Sequence, residues 1–140
     1  MNRKEFLKYG CNTCLMGAMA MLAPALPGCS PAYSVFKTEA HDNQLEVPLN
    51  LFEKTNTLFV RPKGWQYDIA VQKNEEGNYN ALLLQCTHMD NQLTPSQNGY
   101  VCSLHGSRFS SQGDVLKGPA ETGLKKYKTI TKNNHLIISI

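Results

Sequence analysis

The segment QCTHMDNQLTPSQNGYVCSLHGS, residues 85–107, constrains this chain more than any other. It pairs Cys86 with His88 and Cys102 with His105, and only residues 89–101 separate the two pairs. Each half is an apolar run ending in its pair: ALLLQC delivers Cys86, Thr87 and His88, and GYVC delivers Cys102, Ser103, Leu104 and His105. A strand that exits into a short loop turns its next few side chains to one side. Two such exits held side by side aim two sulfurs and two ring nitrogens at a common centre. That is the donor geometry of a metal site, and the fold has to supply two adjacent strand ends.

The surrounding pattern supplies strands. From Leu45 onward the apolar runs LEVPLNLF, TLFVR, YDIAVQK, ALLLQC, YVCSL, DVLKG, LKKYKTIT and HLIISI are too short for helices. Turn signals punctuate them at Glu76-Gly77-Asn78, Gln112-Gly113 and Asn133-Asn134, as in hairpins. The fold class expected is all-β and antiparallel. The 140 residues, 41% of them apolar, suit one domain plus a tail. A net charge of +3 without a long run of one sign gives no indication of a nucleic-acid footprint. Lys125, Lys126 and Lys128 read as a solvated strand face, Trp65 and Tyr67 as core packing, and His135 as the first residue of the last strand.

The amino end differs from the rest. Arg3, Lys4 and Lys8 precede the weakly apolar YGCNTCLMGAMAMLAPAL, which Pro24 and Pro27 close. A basic start, a short apolar stretch and small residues before Cys29 describe an export signal over residues 1–28. The stretch is marginal for a permanent span of about 20 apolar residues. NRKEFLK resembles a twin-arginine export motif with Lys4 at the second arginine, and LPGC resembles a bacterial lipoprotein box in which Cys29 is acylated. These resemblances imply an exported chain anchored to the membrane surface through lipidated Cys29 or its N-terminal segment, at a periplasmic or extracytoplasmic face. Cys11 and Cys14 leave with the signal, so the mature chain keeps Cys29, Cys86 and Cys102. Residues 29–44, with His41, read as a polar linker.

Three readings compete for the centre. Mononuclear zinc modules usually group Cys with Cys and His with His, whereas each knuckle here mixes one of each. A catalytic Cys-His dyad leaves the duplication unexplained. A binuclear iron-sulfur centre in which two histidines replace two cysteines on one iron uses all four residues.

CTH followed by CSLHGS, then RF, GDVL and GPA, resembles the Rieske [2Fe-2S] family over residues 45–140. The resemblance implies an antiparallel β sandwich or barrel with a small inserted cluster-binding subdomain at about residues 84–120. It implies one [2Fe-2S] cluster per chain, with Cys86 and Cys102 on one iron, His88 and His105 on the other, and Gly106 and Ser107 beside it. Family centres span about −150 to +300 mV. High-potential members carry a disulfide between positions that are Asn91 and Leu104 here. Ser107 matches a serine that donates to a bridging sulfide. Phe109 stands where a tyrosine often donates to a cysteine sulfur, and Gly118-Pro119 resembles the proline loop over the cluster. A potential below the quinol-oxidising class follows.

The function expected is single-electron transfer between a donor and an acceptor redox protein. Such a chain is not an enzyme alone and suits the small subunit of a larger oxidoreductase. The alternatives are a Rieske-type ferredoxin feeding an oxygenase and a zinc-stabilised binding module without redox chemistry.

Overall fold

The structure, a computed structural model, describes residues 33–140; the expected export signal and Cys29 lie outside the described residues. The described strands, in chain order, are β1 (Val35–Thr38), β2 (Ala40–His41), β3 (Gln44–Pro48), β4 (Thr57–Pro62), β5 (Ile69–Lys73), β6 (Tyr79–Leu83), β7 (Thr94–Ser96), β8 (Gly99–Val101), β9 (Arg108–Ser110), β10 (Val115–Lys117), β11 (Lys126–Lys132) and β12 (His135–Ser139). Eight form a barrel-like sheet in the order β1-β4-β5-β6-β11-β12-β3-β2, and four form a small sheet in the order β10-β9-β8-β7. β6 and β11 are neighbours, with Tyr127 opposite Ala81, so the whole small sheet is an insertion between adjacent strands of the large one. This is the all-β architecture with an inserted subdomain that the sequence predicts.

Two apolar clusters explain why β4, β5 and β6 read as unbroken apolar runs. Leu58, Val60, Ile69, Val71, Ala81 and Leu83 face the barrel interior with Leu45, Val47, Leu136 and Ile138. The alternate residues Phe59, Ala70, Leu82 and Leu84 face the other way and bury against Leu93, Tyr100, Phe109 and both cysteines. Strands covered on both faces lose the polar alternation that water otherwise imposes. β3 keeps it, with Leu45 and Val47 inside and Glu46 exposed. β11 does the same at the expected lysine face, where Tyr127 is buried between exposed Lys126 and Lys128. Trp65 and Tyr67 pack against the barrel core.

Three local expectations change. Part of the polar segment expected as linker is sheet: β1 pairs with β4, and β2 with His41 pairs with β3 across Asp42-Asn43, both at positive φ. β1 and β2 are the two edges of the large sheet, where one partner suffices and a strongly apolar pattern is not required. The β1·β4 pair is parallel, the exception in an otherwise antiparallel sheet. The run LEVPLNLF breaks after Pro48 into a 3-10 turn, Leu49–Phe52, which buries Phe52 in the barrel core. The hairpin at Asn133-Asn134 is as expected, with φ of 49° and 62°.

Candidate metal centre

The two donor loops are built alike. In the first, the Cys86 N–H donates to the Asn91 carbonyl at 2.8 Å; in the second, the Cys102 N–H donates to the Ser107 carbonyl at 2.8 Å. The residue before each acceptor takes a left-handed conformation, Asp90 with φ 31° and Gly106 with φ 79°. Both loops therefore fold back five residues after the cysteine and leave the intervening side chains on the outside of the turn. A Cβ at Gly106 would meet no protein atom within 4 Å, so backbone conformation rather than space within the protein calls for glycine there.

Sheet pairing sets the first loop on a rigid base. The Leu93 N–H donates to the Leu84 carbonyl at 2.9 Å, and Gln85 pairs with Gln92 in an isolated bridge. The second loop joins β8 to β9, whose ladder places Val101 opposite Arg108.

Within this frame the donors separate by type. Cys86 and Cys102 are each 1% exposed and belong to the apolar cluster beneath the small sheet. They are free thiols. His88 and His105 are exposed, with ring centroids 5.1 Å apart and planes at 89°. Met89 and Leu104, both exposed, flank them in sequence. Among the described residues no three His, Cys, Asp or Glu side chains converge closely enough for a single ion. The four predicted donors are present as a buried sulfur pair and an exposed imidazole pair. Such a set suits a binuclear group whose metals differ in ligand type.

One sulfur of the pair is electrostatically prepared. Burial pushes the Cys102 thiol up, but the N–H groups of His105 and Leu104, the Cys86 side chain and the Asn91 amide together hold it below the ordinary thiol range. The Asn91 amide nitrogen lies 3.6 Å from Cys102 Sγ and 3.2 Å from the Gln92 carbonyl.

A third segment, residues 118–123, braces both loops. Ser107, fully buried, accepts the Ala120 N–H at 3.0 Å, and the Thr87 hydroxyl donates to the Thr122 carbonyl at 2.7 Å. The expected proline loop is the start of this segment. Phe109 is buried opposite Tyr100, whose hydroxyl accepts from Gln72 at 2.9 Å, so neither ring offers the cysteines a hydroxyl.

Sequence reasoning missed several supports. Tyr67 donates its hydroxyl to the Asp90 carbonyl, and Gln85 donates to the Asp90 carboxylate at 2.8 Å. Asp68, fully buried, is held by Arg61 through two contacts of 2.5 and 2.9 Å, and its N–H donates to Gln92. Tyr67 and Asp68 precede the first cysteine by about twenty residues, and no local spacing links them to it.

Comparison with known proteins agrees with this geometry. The family model for the Rieske [2Fe-2S] domain matches residues 43–128, a span holding all four donors. The cytochrome b6-f complex iron-sulfur subunit of Synechococcus elongatus is 33% identical over 76 residues, covering 52% of this chain and 42% of that protein. The corresponding subunit of Chlorobaculum thiosulfatiphilum is 30% identical over 74 residues, covering 51% and 41%. The chain thus matches less than half the length of these curated relatives. A naphthalene 1,2-dioxygenase structure superposes with a TM-score of 0.53 at 23% identity, covering 69% of this chain and 25% of that one, a likeness of fold. Proteins of the matched family carry a [2Fe-2S] cluster and serve electron transfer. Two loops of identical closure, presenting unlike donor pairs on an inserted sheet, are what that family model spans, and this chain belongs to the Rieske [2Fe-2S] domain family.

Proposed function

We propose that this protein carries single electrons between two redox proteins through a [2Fe-2S] cluster, with Cys86 and Cys102 on one iron and His88 and His105 on the other. The carrying observation is the split of the donors into a buried sulfur pair and an exposed imidazole pair. Bound there, the cluster supplies one-electron reduction and reoxidation at a potential that imidazole ligation raises above that of all-cysteine clusters. The protein's own part is to keep water from the sulfurs and to bring the ring nitrogens to the surface. Leu82, Leu84, Leu93 and Phe109 do the first. The two loop turns do the second, giving a partner a short path.

The potential falls below the quinol-oxidising range. Asn91 and Leu104 replace the cysteines of the clamp, and Leu104 is 57% exposed. Phe109 has no hydroxyl to donate. Ser107 and its neighbour Gly106 remain beside the cluster, the former with its oxygen already accepting from Ala120.

The protein acts as the small electron-transfer subunit of a larger oxidoreductase and has no catalytic residue of its own. The names of the relatives, iron-sulfur subunits of a cytochrome complex, support a role as one subunit of a larger redox assembly. Residues 1–28 serve as an export signal, and acylated Cys29 tethers the domain at the outer face of the cytoplasmic membrane. Among the described residues no helix is long and apolar enough to span a membrane.

Anaerobic reconstitution with iron and sulfide tests the centre. A red-brown protein whose reduced form gives the paramagnetic resonance signal of a histidine-ligated cluster supports it; a colourless protein, or one zinc with no acid-labile sulfide, refutes it. Mass spectrometry of the mature amino end tests the tether, which an unmodified Cys29 would exclude.

A further inference from the structure

Asn91 touches both cysteines. Its carbonyl accepts the Cys86 N–H at 2.8 Å, and its side-chain amide, 3.6 Å from Cys102 Sγ, donates to the sulfur of the other loop. The second amide proton has its own acceptor, the Gln92 carbonyl at 3.2 Å, which fixes the rotation of the amide plane. Cys102 takes its backbone donors, the N–H groups of Leu104 and His105, from within its own loop, while from the first loop it meets the Cys86 thiol, itself a metal donor, and the Asn91 amide. Asn91 therefore supplies a side-chain link between the loops. The half-buried amide approaches a sulfur that is 1% exposed, where water competes poorly for the bond.

Resting on the ligand assignment above, we propose that Asn91 is a positioning residue that ties the two cluster loops together without a covalent bond and raises the reduction potential. An added electron increases the negative charge on the ligand sulfurs, so a fixed N–H donor stabilises the reduced state more than the oxidised one. The same amide holds Cys102 at a set distance from Cys86, whose own N–H is bound to Asn91. The exposed side chain of Leu104 offers nothing polar in return. Asn91 therefore does with one hydrogen bond, and reversibly, what a covalent clamp at this position would do permanently.

The test uses the reconstituted full chain and two variants that keep the number and branching of the side-chain heavy atoms, Asn91→Leu and Asn91→Asp. Midpoint potentials come from spectroelectrochemistry and stabilities from urea unfolding. Both variants should shift the reduced-to-oxidised ratio at a fixed potential toward the oxidised form, by about threefold to tenfold for Asn91→Leu, where tenfold equals about 59 mV for one electron. Asn91→Asp should shift it further, because a carboxylate cannot donate and adds negative charge. A purely structural Asn91 would lower stability and leave the reduced-to-oxidised ratio of Asn91→Leu within about twofold of the parent, which overturns the proposal. If neither variant keeps its cluster, pulsed paramagnetic resonance on the parent protein decides: isotopically labelled asparagine should add one weakly coupled nitrogen to the reduced signal. The absence of that coupling overturns the proposal while leaving the cluster assignment standing. A parent protein that forms no cluster overturns both.

Discussion

Replacing Ser107 by alanine separates two roles of one buried hydroxyl. Ser107 is fully buried, and its oxygen accepts the N–H of Ala120, itself 4% exposed. Alanine removes the acceptor and leaves that N–H with no water in reach, a loss of about 1–3 kcal/mol. The void left is only one oxygen atom, so cavity formation adds little beside the orphaned donor. About 2 kcal/mol is the expected destabilisation, measured by urea unfolding of the cluster-free chain with Trp65, the sole tryptophan, as fluorescent reporter. Because residues 118–123 also hold Thr87 through the Thr122 carbonyl, the first loop should loosen as well, seen as faster amide exchange at Thr87. The second role appears only with the cluster bound. With one lone pair engaged by Ala120, the hydroxyl proton remains to donate, and its loss should lower the midpoint by up to about 59 mV, a tenfold shift for one electron. A stability change under about 0.5 kcal/mol would refute the structural role. An unmoved potential would refute the donor role.

Three further outcomes follow from groups other than the metal donors. Tyr100 is 2% exposed, and burial pushes its hydroxyl up to about 12 while the bond from Gln72 pulls the other way. An unfolded tyrosine ionises near 10, so the stability gained by keeping Tyr100 neutral is complete below about pH 10 and is lost as pH rises to about 12. That alkaline limb, about 2–3 kcal/mol deep in urea titrations, should flatten in Tyr100→Phe; an equally steep limb would count against the assignment. Gly99 has φ 138°, and a Cβ there would overlap the Phe109 carbonyl oxygen and lie 2.6 Å from the Ser110 carbonyl carbon. Since those atoms are backbone of β9, Gly99→Ala should cost about 3–5 kcal/mol in urea unfolding, and a cost under about 1 kcal/mol would show that β8 and β9 separate readily. Arg61→Met leaves the buried Asp68 carboxylate with the Tyr33 hydroxyl, 3.3 Å away, as its remaining side-chain donor, at about 2–4 kcal/mol after allowing for the 37% exposure of the arginine side chain. The double variant Arg61→Met, Asp68→Leu should recover most of that loss, and failure to recover would place the cost in packing instead of charge.

Much of the centre was legible because its signals are short-range. Cys86 with His88 and Cys102 with His105 are spaced within single loops, and the turn at Asn133-Asn134 needs only two residues that accept positive φ. The edge strands were not legible. β1 and β2 carry few apolar residues because each has a partner on one side only, so their composition resembles a linker. Nor was the duty of Asn91: its sequence marks a missing cysteine, and only the approach of the two loops turns its amide into a donor for Cys102.

The one-dimensional order of residues decided which side chains carry metal-type donors, where the hairpin turns fall, and that the chain is a β protein, because periodicity, turn chemistry and ligand spacing act over a handful of neighbours. Folding decided which sulfurs are dry and which rings are wet, that β4 to β6 are covered on both faces, and that Ala120, Tyr67 and Asn91 hold the loops. Those are contacts between residues far apart along the chain or across loops, and a hydrogen bond or a buried surface exists only once both partners share a place in space.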